Sequence, residues 1–228
     1  MSYQSFRYRI MGDGALIAEL GDKISPEVNQ RVRELALVLE EDPIEGVVEI
    51  VPTYRSLLII YDPLRVHLTA LLHRIEGLRK KIARIKIPEP KTVEIPVLYG
   101  GEYGPDLEWV AQYHKITAQD VIRLHLAPLY QVYMIGFTPG FPYMGELPEQ
   151  LASPRRKNPR TLIPAGSVAI AQRQTGIYPV ASPGGWQIIG RTPLKLFNPT
   201  RSPPTLLEMG DRVKFFSITE EEFKRWLP

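Results

Sequence analysis

The sequence predicts an α+β protein in two parts, a small ββαββα domain over residues 1–86 and a mostly β domain over residues 87–228. The order of strands and helices in the first part is typical of an antiparallel sheet covered by helices. Pro88-Glu89-Pro90 favours extended backbone and cannot continue a helix, which predicts a linker over Ile85–Lys91. Short β-rich runs between turn residues fill most of the second part.

In the first part, alternation of Phe6, Tyr8 and Ile10 with polar neighbours predicts one strand, and β-rich runs predict the later strands. Apolar residues at helical spacing predict the helices. Ser25 is a candidate N-cap, followed by Pro26 in the first helical turn. The predicted elements are strands Phe6–Ile10 and Ala15–Leu20, a helix from Pro26 to Leu39, strands Val47–Val51 and Ser56–Tyr61, and a helix over Leu68–Leu78.

The second part begins with a predicted strand, two short helices and another strand. Thr117 and Asp120 have the spacing of a capping box and predict the start of the second helix. Short strands then alternate with turns at the intervals of a barrel or sandwich. The predicted elements are strand Thr92–Leu98, helices Asp106–Tyr113 and Thr117–Leu126, and strands Tyr130–Phe137, Ser167–Ala171, Gly176–Val180, Trp186–Gly190, Leu194–Phe197 and Arg212–Ile218.

Composition narrows the classes of function. The 228-residue chain has a net charge of only +3, so its charge does not indicate that it binds nucleic acid. It has no cysteine, which excludes disulfides, thiolate metal sites and a cysteine nucleophile in this chain. It has neither an apolar signal region at its start nor an apolar run long enough to span a membrane. We therefore expect a cytoplasmic protein that binds neither nucleic acid nor membrane.

The usual catalytic motifs are missing, so the catalytic residues are left unassigned. The sequence contains no P-loop, no G-x-G-x-x-G and no H-E-x-x-H, and Ser167 lies in Ala-Gly-Ser-Val-Ala rather than in a nucleophile elbow. His67 and His73 do not have the spacing of a helical metal pair. We expect no metal site. His125, at the end of a predicted helix, is either a structural histidine or a binding residue.

Aromatic residues are interleaved with Gly and Pro between Gly136 and Gly190, which is typical of rigid, packed loops and not of a disordered linker. Such rings form a core, the wall of a pocket or a partner-binding face. Backbone N–H groups around Ser182 and Gly184 form either an anion nest or a hairpin turn. The candidates for a pocket or partner face are Phe137, Phe141, Tyr143, Ser182, Gly184 and Trp186.

Basic residues in the same block are candidate anion ligands. Arg155, Arg156, Lys157 and Arg160 lie within six positions, and guanidinium groups bind carboxylate or phosphate through paired hydrogen bonds. The alternative is a solvated basic loop. Arg191 is a further candidate.

Three neutral side chains near a tight turn are candidate contacts to a small polar amide or lactam. Gln172, Thr175 and Tyr178 flank Gly176 and offer both donors and acceptors. Equally, such side chains often satisfy the backbone of their own turn.

Several longer motifs carry a family resemblance that runs along nearly the whole chain. They are GDGALIAELGDKI, GVVEIVPTYRSLLIIYDP and YGGEYGPDLEWVA in the first half, and GFTPGFPYMG, IPAGSVAIA and SPGGWQIIGRTP in the second. The chain resembles the family of the Kip inhibitor and the 5-oxoprolinase B subunit, formerly called allophanate hydrolase subunit 1, which is related to the carboxyltransferase domain of urea carboxylase.

The resemblance implies a cyclophilin-like β-barrel in the second domain. It also implies an ATP-dependent 5-oxoprolinase that opens 5-oxoproline to L-glutamate, in which this chain acts with partners similar to the A and C subunits and is inactive alone. ATP is then the cofactor of the complex, with Mg²⁺ as a candidate companion. The pairs Pro154-Arg155 and Pro159-Arg160 fall within the family pattern, which favours Arg155 and Arg160 as anion ligands.

Two alternatives remain open at this point. One is an inhibitor of a sensor histidine kinase, which needs a rigid binding face such as Gly136–Tyr143. The other is a carboxyltransferase half that acts on a urea-like amide with a biotin carrier. No Met-Lys-Met attachment site occurs in the sequence, so biotin would come from another chain.

Overall fold

The computed structural model describes residues 2–82 and 84–226. The chain divides into two compact units, Met1–Glu89 and Pro90–Pro228. Within the described residues, no helix has the length and apolar character needed to cross a membrane.

The first unit is a four-stranded antiparallel sheet with helices, in the strand order β1-β2-β4-β3. Its elements are β1 Ser2–Met11, β2 Ala15–Gly21, α1 Pro26–Glu41, β3 Val47–Pro52, β4 Ser56–Tyr61, α2 Leu68–Gly77 and α3 Arg79–Ile82. The predicted ββαββα order is confirmed.

Helix α1 begins and packs as its sequence predicts. The Ser25 hydroxyl accepts a hydrogen bond from the Val28 amide at 3.3 Å, and Pro26 follows in the first turn. The apolar side of α1, with Val32 and Leu35 fully buried, lies against the sheet. In β4, Leu57, Ile59 and Tyr61 are buried and the alternate residues are half-buried, so the sheet presents an apolar face to the helix.

The second unit is a closed seven-stranded barrel with the strand order β10-β7-β6-β13-β5-β12-β9, and β11 and β8 form a separate two-stranded sheet. Strands β13 and β5 pair in parallel, and the other barrel pairs are antiparallel. The elements are β5 Thr92–Tyr99, α4 Leu107–His114, α5 Ala118–Leu126, β6 Tyr130–Ile135, β7 Pro142–Gly145, β8 Arg160–Ile163, β9 Ser167–Ala171, β10 Gln174–Ile177, β11 Ser182–Gly184, β12 Gln187–Arg191, β13 Arg212–Ser217 and α6 Glu220–Arg225. The predicted α+β class and the barrel are confirmed.

The barrel strands have two apolar faces, each with its own cluster. Alternate residues such as Val168 and Ile170 of β9 join the main core, which α4 and α5 also contact. The other alternate residues of β9, Ala169 and Ala171, join a smaller cluster with Phe141, Tyr178 and Trp186. Because the strands are buried on both faces, the second cluster is a packed layer against which side chains of a site can be fixed.

Three local predictions differ from the structure. Leu194–Phe197 is not a strand: Pro193 offers no N–H, the Leu194 amide is bound by the Thr192 hydroxyl, and Phe197 makes only an isolated bridge to Thr205. Strand β6 ends at Ile135, before the predicted Phe137, because Phe137 has a φ of 68°. Strand β10 begins and ends earlier than the predicted Gly176–Val180. The short strands β7, β8 and β11 were not predicted at all.

A polar group is enclosed in the main core. His125 of α5 is fully buried, with Nδ1 2.8 Å from the Tyr99 hydroxyl and Nε2 2.9 Å from the Thr175 hydroxyl. The Tyr130 hydroxyl donates to the His125 carbonyl at 2.9 Å. Burial lowers the pKa of His125 to about 3, so the ring is neutral at physiological pH. The two ring nitrogens are both partnered, as a buried imidazole requires.

We predict that His125 makes the fold acid-sensitive. The unfolded chain binds a proton at His125 near its ordinary pKa of about 6.5, whereas the folded chain does so only near 3. The free energy of unfolding therefore keeps this contribution in full above pH 6.5. It falls by about 1.4 kcal/mol per pH unit as the pH drops from about 6.5 to about 3. Urea unfolding of the wild type and of His125→Gln at several pH values measures this. The difference in unfolding free energy between the two should shrink with acidification; a difference independent of pH would contradict the assignment.

Candidate functional site

One buried carboxylate organises the polar part of the second unit. Asp106 stands immediately before α4 and is 3% exposed. Its carboxylate accepts hydrogen bonds from the Ile188 amide at 2.7 Å and from Arg156 Nη1 at 2.8 Å. Arg160 donates to both oxygens, from Nη1 at 2.7 Å and from Nη2 at 2.9 Å. This bidentate geometry is the strongest that a guanidinium forms with a carboxylate, and the bond to Asp106 raises the pKa of Arg160.

The carboxylate fixes the segment from Arg155 to Arg160, called here the basic segment. The backbone holds it as well: the Arg156 amide donates to Gly185 at 2.7 Å, and Gln187 Nε2 donates to the Pro154 carbonyl at 2.9 Å. Of the predicted anion ligands, Arg160 is thus occupied by Asp106. Arg155 and Lys157 are exposed and have no carboxylate partner within the described residues.

Beside the basic segment lies an aromatic cluster of Phe137, Phe141, Tyr143, Tyr178 and Trp186. Phe141 is its centre, with ring centroids 4.8 Å from Tyr143, 5.1 Å from Tyr178 and 5.6 Å from Trp186. The Arg155 guanidinium carbon lies 6.0 Å from the centre of the Trp186 ring. The structure therefore brings together the predicted aromatic residues and Arg155, and a cation–π contact joins them.

Phe137 is the exposed member of the aromatic cluster. Its ring packs edge-on against Phe141 at 5.7 Å, yet 63% of the residue is exposed. Its φ of 68° places a bulky residue in the left-handed region, which costs roughly 1–3 kcal/mol. Hydrogen bonds from Gly136 to Phe141 and from Phe141 to Thr138 close the loop around it. The loop holds a large ring at the surface in a conformation that the chain adopts only under constraint.

The two tyrosines of the cluster stay protonated near neutral pH. Burial raises the pKa of Tyr178 to about 12, although the cations Arg155 and Arg160 act in the opposite direction. Burial also raises the pKa of Tyr143. Gly184 is required here, since a Cβ at this position would lie 2.2 Å from the Tyr178 hydroxyl oxygen. Neither phenol is therefore poised as a proton acceptor.

A groove of about 470 Å³ runs along the basic segment. Trp109 and Tyr113 of α4 form one wall, with ring centroids 5.1 Å apart and planes at 19°. The groove is lined by Trp109, Tyr113, Pro154, Arg155, Arg156, Lys157, Asn158 and Gln187. We call it the basic groove. Two exposed cations without an acidic partner in the described residues, Arg155 and Lys157, lie beside the stacked rings and favour an anionic ligand with a flat apolar part.

The remaining predicted residues do not join this groove. His125 and Thr175 are fully buried in the barrel and bonded to each other, so their burial does not fit the expected contact with a substrate. Gln172 is exposed in the turn between β9 and β10, where its backbone N–H donates to the Ser153 carbonyl. Ser182 is buried in strand β11 and is not part of an open anion nest. Arg191 lines a separate cavity.

Sequence reasoning missed three residues that shape the site. Asp106 was expected only as the start of a helix, and Trp109 and Tyr113 only as helical residues. Asp106 is 50 residues before Arg156, so no short motif links the two. The only signal was the family-like motif YGGEYGPDLEWVA, which contains both Asp106 and Trp109.

No complete catalytic centre is evident in the described residues. They contain no group of three or more His, Asp or Glu side chains able to hold a metal ion. One Ser–His contact exists, with His114 Nε2 3.0 Å from the Ser153 hydroxyl. That hydroxyl donates to the Leu151 carbonyl, and Ser153 is 1% exposed, so a substrate does not reach it. The geometry supports binding and presentation of a ligand.

We predict that Asp106→Ala destabilises the second unit by about 2–3 kcal/mol. Breaking a fully buried ion pair costs about 3–5 kcal/mol. The cost expected here is at or below the lower end of that range, because the two freed guanidinium groups retain contact with water. Urea unfolding measures the change. The control, Arg123→Ala, removes an exposed ion pair with Asp120 and should leave stability unchanged within error. Equal stabilities of Asp106→Ala and the wild type would refute the role of Asp106.

Comparisons of this sequence with known proteins agree on one family. The carboxyltransferase domain family, subdomain C and D, matches residues 6–207. The 5-oxoprolinase B subunit from Bacillus subtilis is 43% identical over 95% of both chains. The protein of the same name from Escherichia coli O157:H7 is 44% identical over 93% of this chain and 96% of its own. A urea amidolyase of Lachancea kluyveri is 27% identical over 96% of this chain, which spans 14% of it.

Solved structures share the fold. TTHA0988 is 40% identical with a TM-score of 0.79 over 90% of this chain, which spans 40% of that longer protein. A conserved uncharacterized protein from Pyrococcus horikoshii is 49% identical, with a TM-score of 0.57, over 95% of this chain and 100% of its own. The chain therefore belongs to the family of 5-oxoprolinase B subunits, within the carboxyltransferase domains of subdomains C and D.

Proposed function

We propose that this chain is the B subunit of an ATP-dependent 5-oxoprolinase and acts with A and C subunits to open 5-oxoproline to L-glutamate. The observation that carries the proposal is the 43% identity over 95% of both chains with the 5-oxoprolinase B subunit from Bacillus subtilis. In the reaction the lactam C–N bond breaks, the hydroxyl of water joins the carbonyl carbon, and the ring nitrogen becomes the amino group. ATP is hydrolysed to ADP and phosphate.

The site supports a role that partners complete. A lactam is a stable amide, and its opening needs an activated carbonyl and a placed water molecule. The described residues offer no accessible nucleophile–base pair and no metal-binding cluster. We therefore expect the isolated chain to be inactive.

The basic groove fits the chemistry of ATP. Arg155 and Lys157 have free charges for phosphate oxygens, and the Trp109–Tyr113 stack offers a flat apolar wall. When bound in the complex, ATP supplies a phosphoryl group that makes the lactam carbon a better electrophile. The role of this chain is to hold and orient the negatively charged phosphates, and any Mg²⁺ would arrive with them.

Phe137 and the loop around it fit an interface between subunits. Aromatic residues, Phe included, are enriched at protein interfaces relative to the rest of the surface. Phe137 is 63% exposed and its loop is closed by its own hydrogen bonds, so little freedom is lost when a partner covers it. We propose that this surface contacts one of the partner subunits.

A carboxyltransferase role is the second candidate, and the family match with the urea amidolyase similarity favours it. The substrate would then be a urea-like amide, and biotin would come on a carrier from another chain. Biotin-dependent carboxyl transfer without 5-oxoproline turnover by the assembled complex would select this candidate.

We predict that ATP-dependent formation of glutamate from 5-oxoproline needs this chain together with both partner subunits, and that omission of any one abolishes it. Glutamate and ADP are measured in parallel, because hydrolysis of ATP without ring opening would show a partial reaction. No turnover by a complex shown to be assembled would refute the proposed function.

Within that complex, we predict that Arg155→Ala lowers kcat/KM about tenfold or more, since a charged hydrogen bond contributes roughly 1.5–3 kcal/mol. Arg123→Ala, which removes an exposed cation on α5 away from the groove, is the matched control and should have no effect. Unchanged kinetics of Arg155→Ala would remove Arg155 from the site.

We predict that Phe137→Ala weakens assembly with the partner subunits at least tenfold, because a central aromatic contact contributes roughly 2 kcal/mol or more. The variant should be as stable as the wild type, since the ring is largely exposed and its backbone is strained. Leu129→Ala, another exposed apolar side chain of the same unit, is the control. Equal affinity of all three proteins in sedimentation or light scattering would place the interface elsewhere.

A further inference from the structure

A second cavity of about 630 Å³ lies in the Pro90–Pro228 unit and shares no lining residue with the basic groove. Its walls come from the segment before α4, the turn between β8 and β9, the segment between β10 and β11, the end of β12 with the segment after it, and α6. We call it the Arg191 pocket; the residues that matter here are Tyr103, Gly166, Arg191, Lys195, Phe197 and Phe223. Its volume is within the roughly 300–1,000 Å³ of small-molecule sites.

The charge of the Arg191 pocket is uncompensated. Arg191 and Lys195 are the two cations of its lining, and no Asp or Glu lines it. Neither cation makes a salt bridge with any residue that the structure describes. A cleft lined by charges of one sign raises the local concentration of counter-ions, so two cations in one concavity favour an anionic ligand.

The guanidinium of Arg191 is held with one edge free. Its Nε donates to the Ala165 carbonyl at 2.8 Å, which fixes the plane of the group. The two terminal nitrogens have no hydrogen-bond partner in the described part of the chain. A guanidinium fixed in this way presents parallel N–H groups, the arrangement that binds a carboxylate through two hydrogen bonds.

The backbone beneath Arg191 is rigid. Gly166 has a φ of 82°, and a Cβ there would lie 2.3 Å from the Thr192 carbonyl oxygen. The Thr192 amide donates to the Gly166 carbonyl at 2.9 Å, and Thr192 is 2% exposed. The β8–β9 turn and the segment after β12 are therefore locked together. Because the site is formed before a ligand arrives, binding costs little conformational entropy.

Aromatic walls select an organic ligand over a bare ion. Tyr103 and Phe223 pack with their ring centroids 4.9 Å apart, and Phe197 contributes another ring to the lining. A ligand with a carbon skeleton buries apolar surface against these rings while its anionic group meets Arg191.

We propose that the Arg191 pocket binds a small organic carboxylate. Arg191 takes the two carboxylate oxygens, Lys195 adds a second positive charge, and Tyr103, Phe197 and Phe223 face the carbon skeleton. The site is a property of this chain alone, so it stands or fails separately from the proposed 5-oxoprolinase activity.

The test is a titration of the full-length, ¹⁵N-labelled chain followed by amide chemical shifts. The probes are cyclopentanecarboxylate, the neutral cyclopentanecarboxamide and inorganic phosphate. The carboxylate should give saturable shifts at Gly166, Thr192 and Leu194, with a Kd at least about tenfold lower than that of the carboxamide. Absence of saturable shifts, or equal affinity for the carboxamide, would overturn the proposal. Phosphate binding as tight as the carboxylate would overturn the assignment to an organic ligand.

Variants locate the site. Arg191→Gln should raise the Kd of the carboxylate about tenfold or more, and the exposed Lys195→Gln should raise it about threefold, in line with the loss of one charge–charge contact. Lys157→Gln, in the basic groove, is the matched control and should leave the Kd unchanged. Arg191→Gln loses its bond to Ala165, so Lys195→Gln, which has no such bond, keeps the test valid if the first variant unfolds. An unchanged Kd in folded Arg191→Gln would overturn the proposal.

Discussion

The Asp106 carboxylate determines where the charges of the basic groove lie. Two guanidinium groups that would otherwise repel each other are brought to one anion, and Arg160 meets it through both oxygens. The same carboxylate accepts the Ile188 amide, so α4 is joined to β12 as well as to the basic segment. As a consequence Arg155, which has no acidic partner in the described residues, lies over Trp186 at the edge of the groove.

The barrel makes this arrangement possible because its strands are buried on both faces. One face fills the core, where His125 is neutral and joined to Thr175. The other face carries the small cluster of Phe141, Tyr178 and Trp186, and against it pack the loop of Phe137 and the side chain of Arg155. Fixed backbone under both the exposed ring and the exposed cation means that a partner or ligand meets surfaces already ordered for binding.

Local physical rules were enough to predict much of the fold. The capping box at Thr117, the N-cap at Ser25 and the β-rich run Ser56–Tyr61 each specify an element without reference to distant residues. The strand predicted at Leu194–Phe197 was wrong because a strand also needs a neighbouring strand to hydrogen-bond with. Phe197 makes only an isolated bridge to Thr205. The end of β6 was misplaced because a left-handed Phe137 depends on packing that a sequence pattern does not contain.

The candidate site was predictable only in part, for a related reason. The basic cluster and the aromatic residues were visible in one block, but their partner Asp106 is 50 residues upstream. Thr175 and Tyr178 lie three positions apart in sequence, yet Thr175 faces the core and Tyr178 the aromatic cluster. Proximity along the chain therefore misled, because strand alternation and the end of β10 at Ile177 decide which way each side chain points.

Amide hydrogen exchange of the isolated chain tests most directly whether Asp106 holds the basic segment in place. In Asp106→Ala, exchange at the Ile188 and Arg156 amides should accelerate by about tenfold or more, the loss expected when one or more charged hydrogen bonds are removed. Amides of the ladder between β2 and β4 in the first unit should exchange as in the wild type, because the predicted loss of stability concerns the second unit. Unchanged protection at Ile188 and Arg156 in a folded Asp106→Ala variant would contradict the account, since the segment would then be held by its backbone contacts alone.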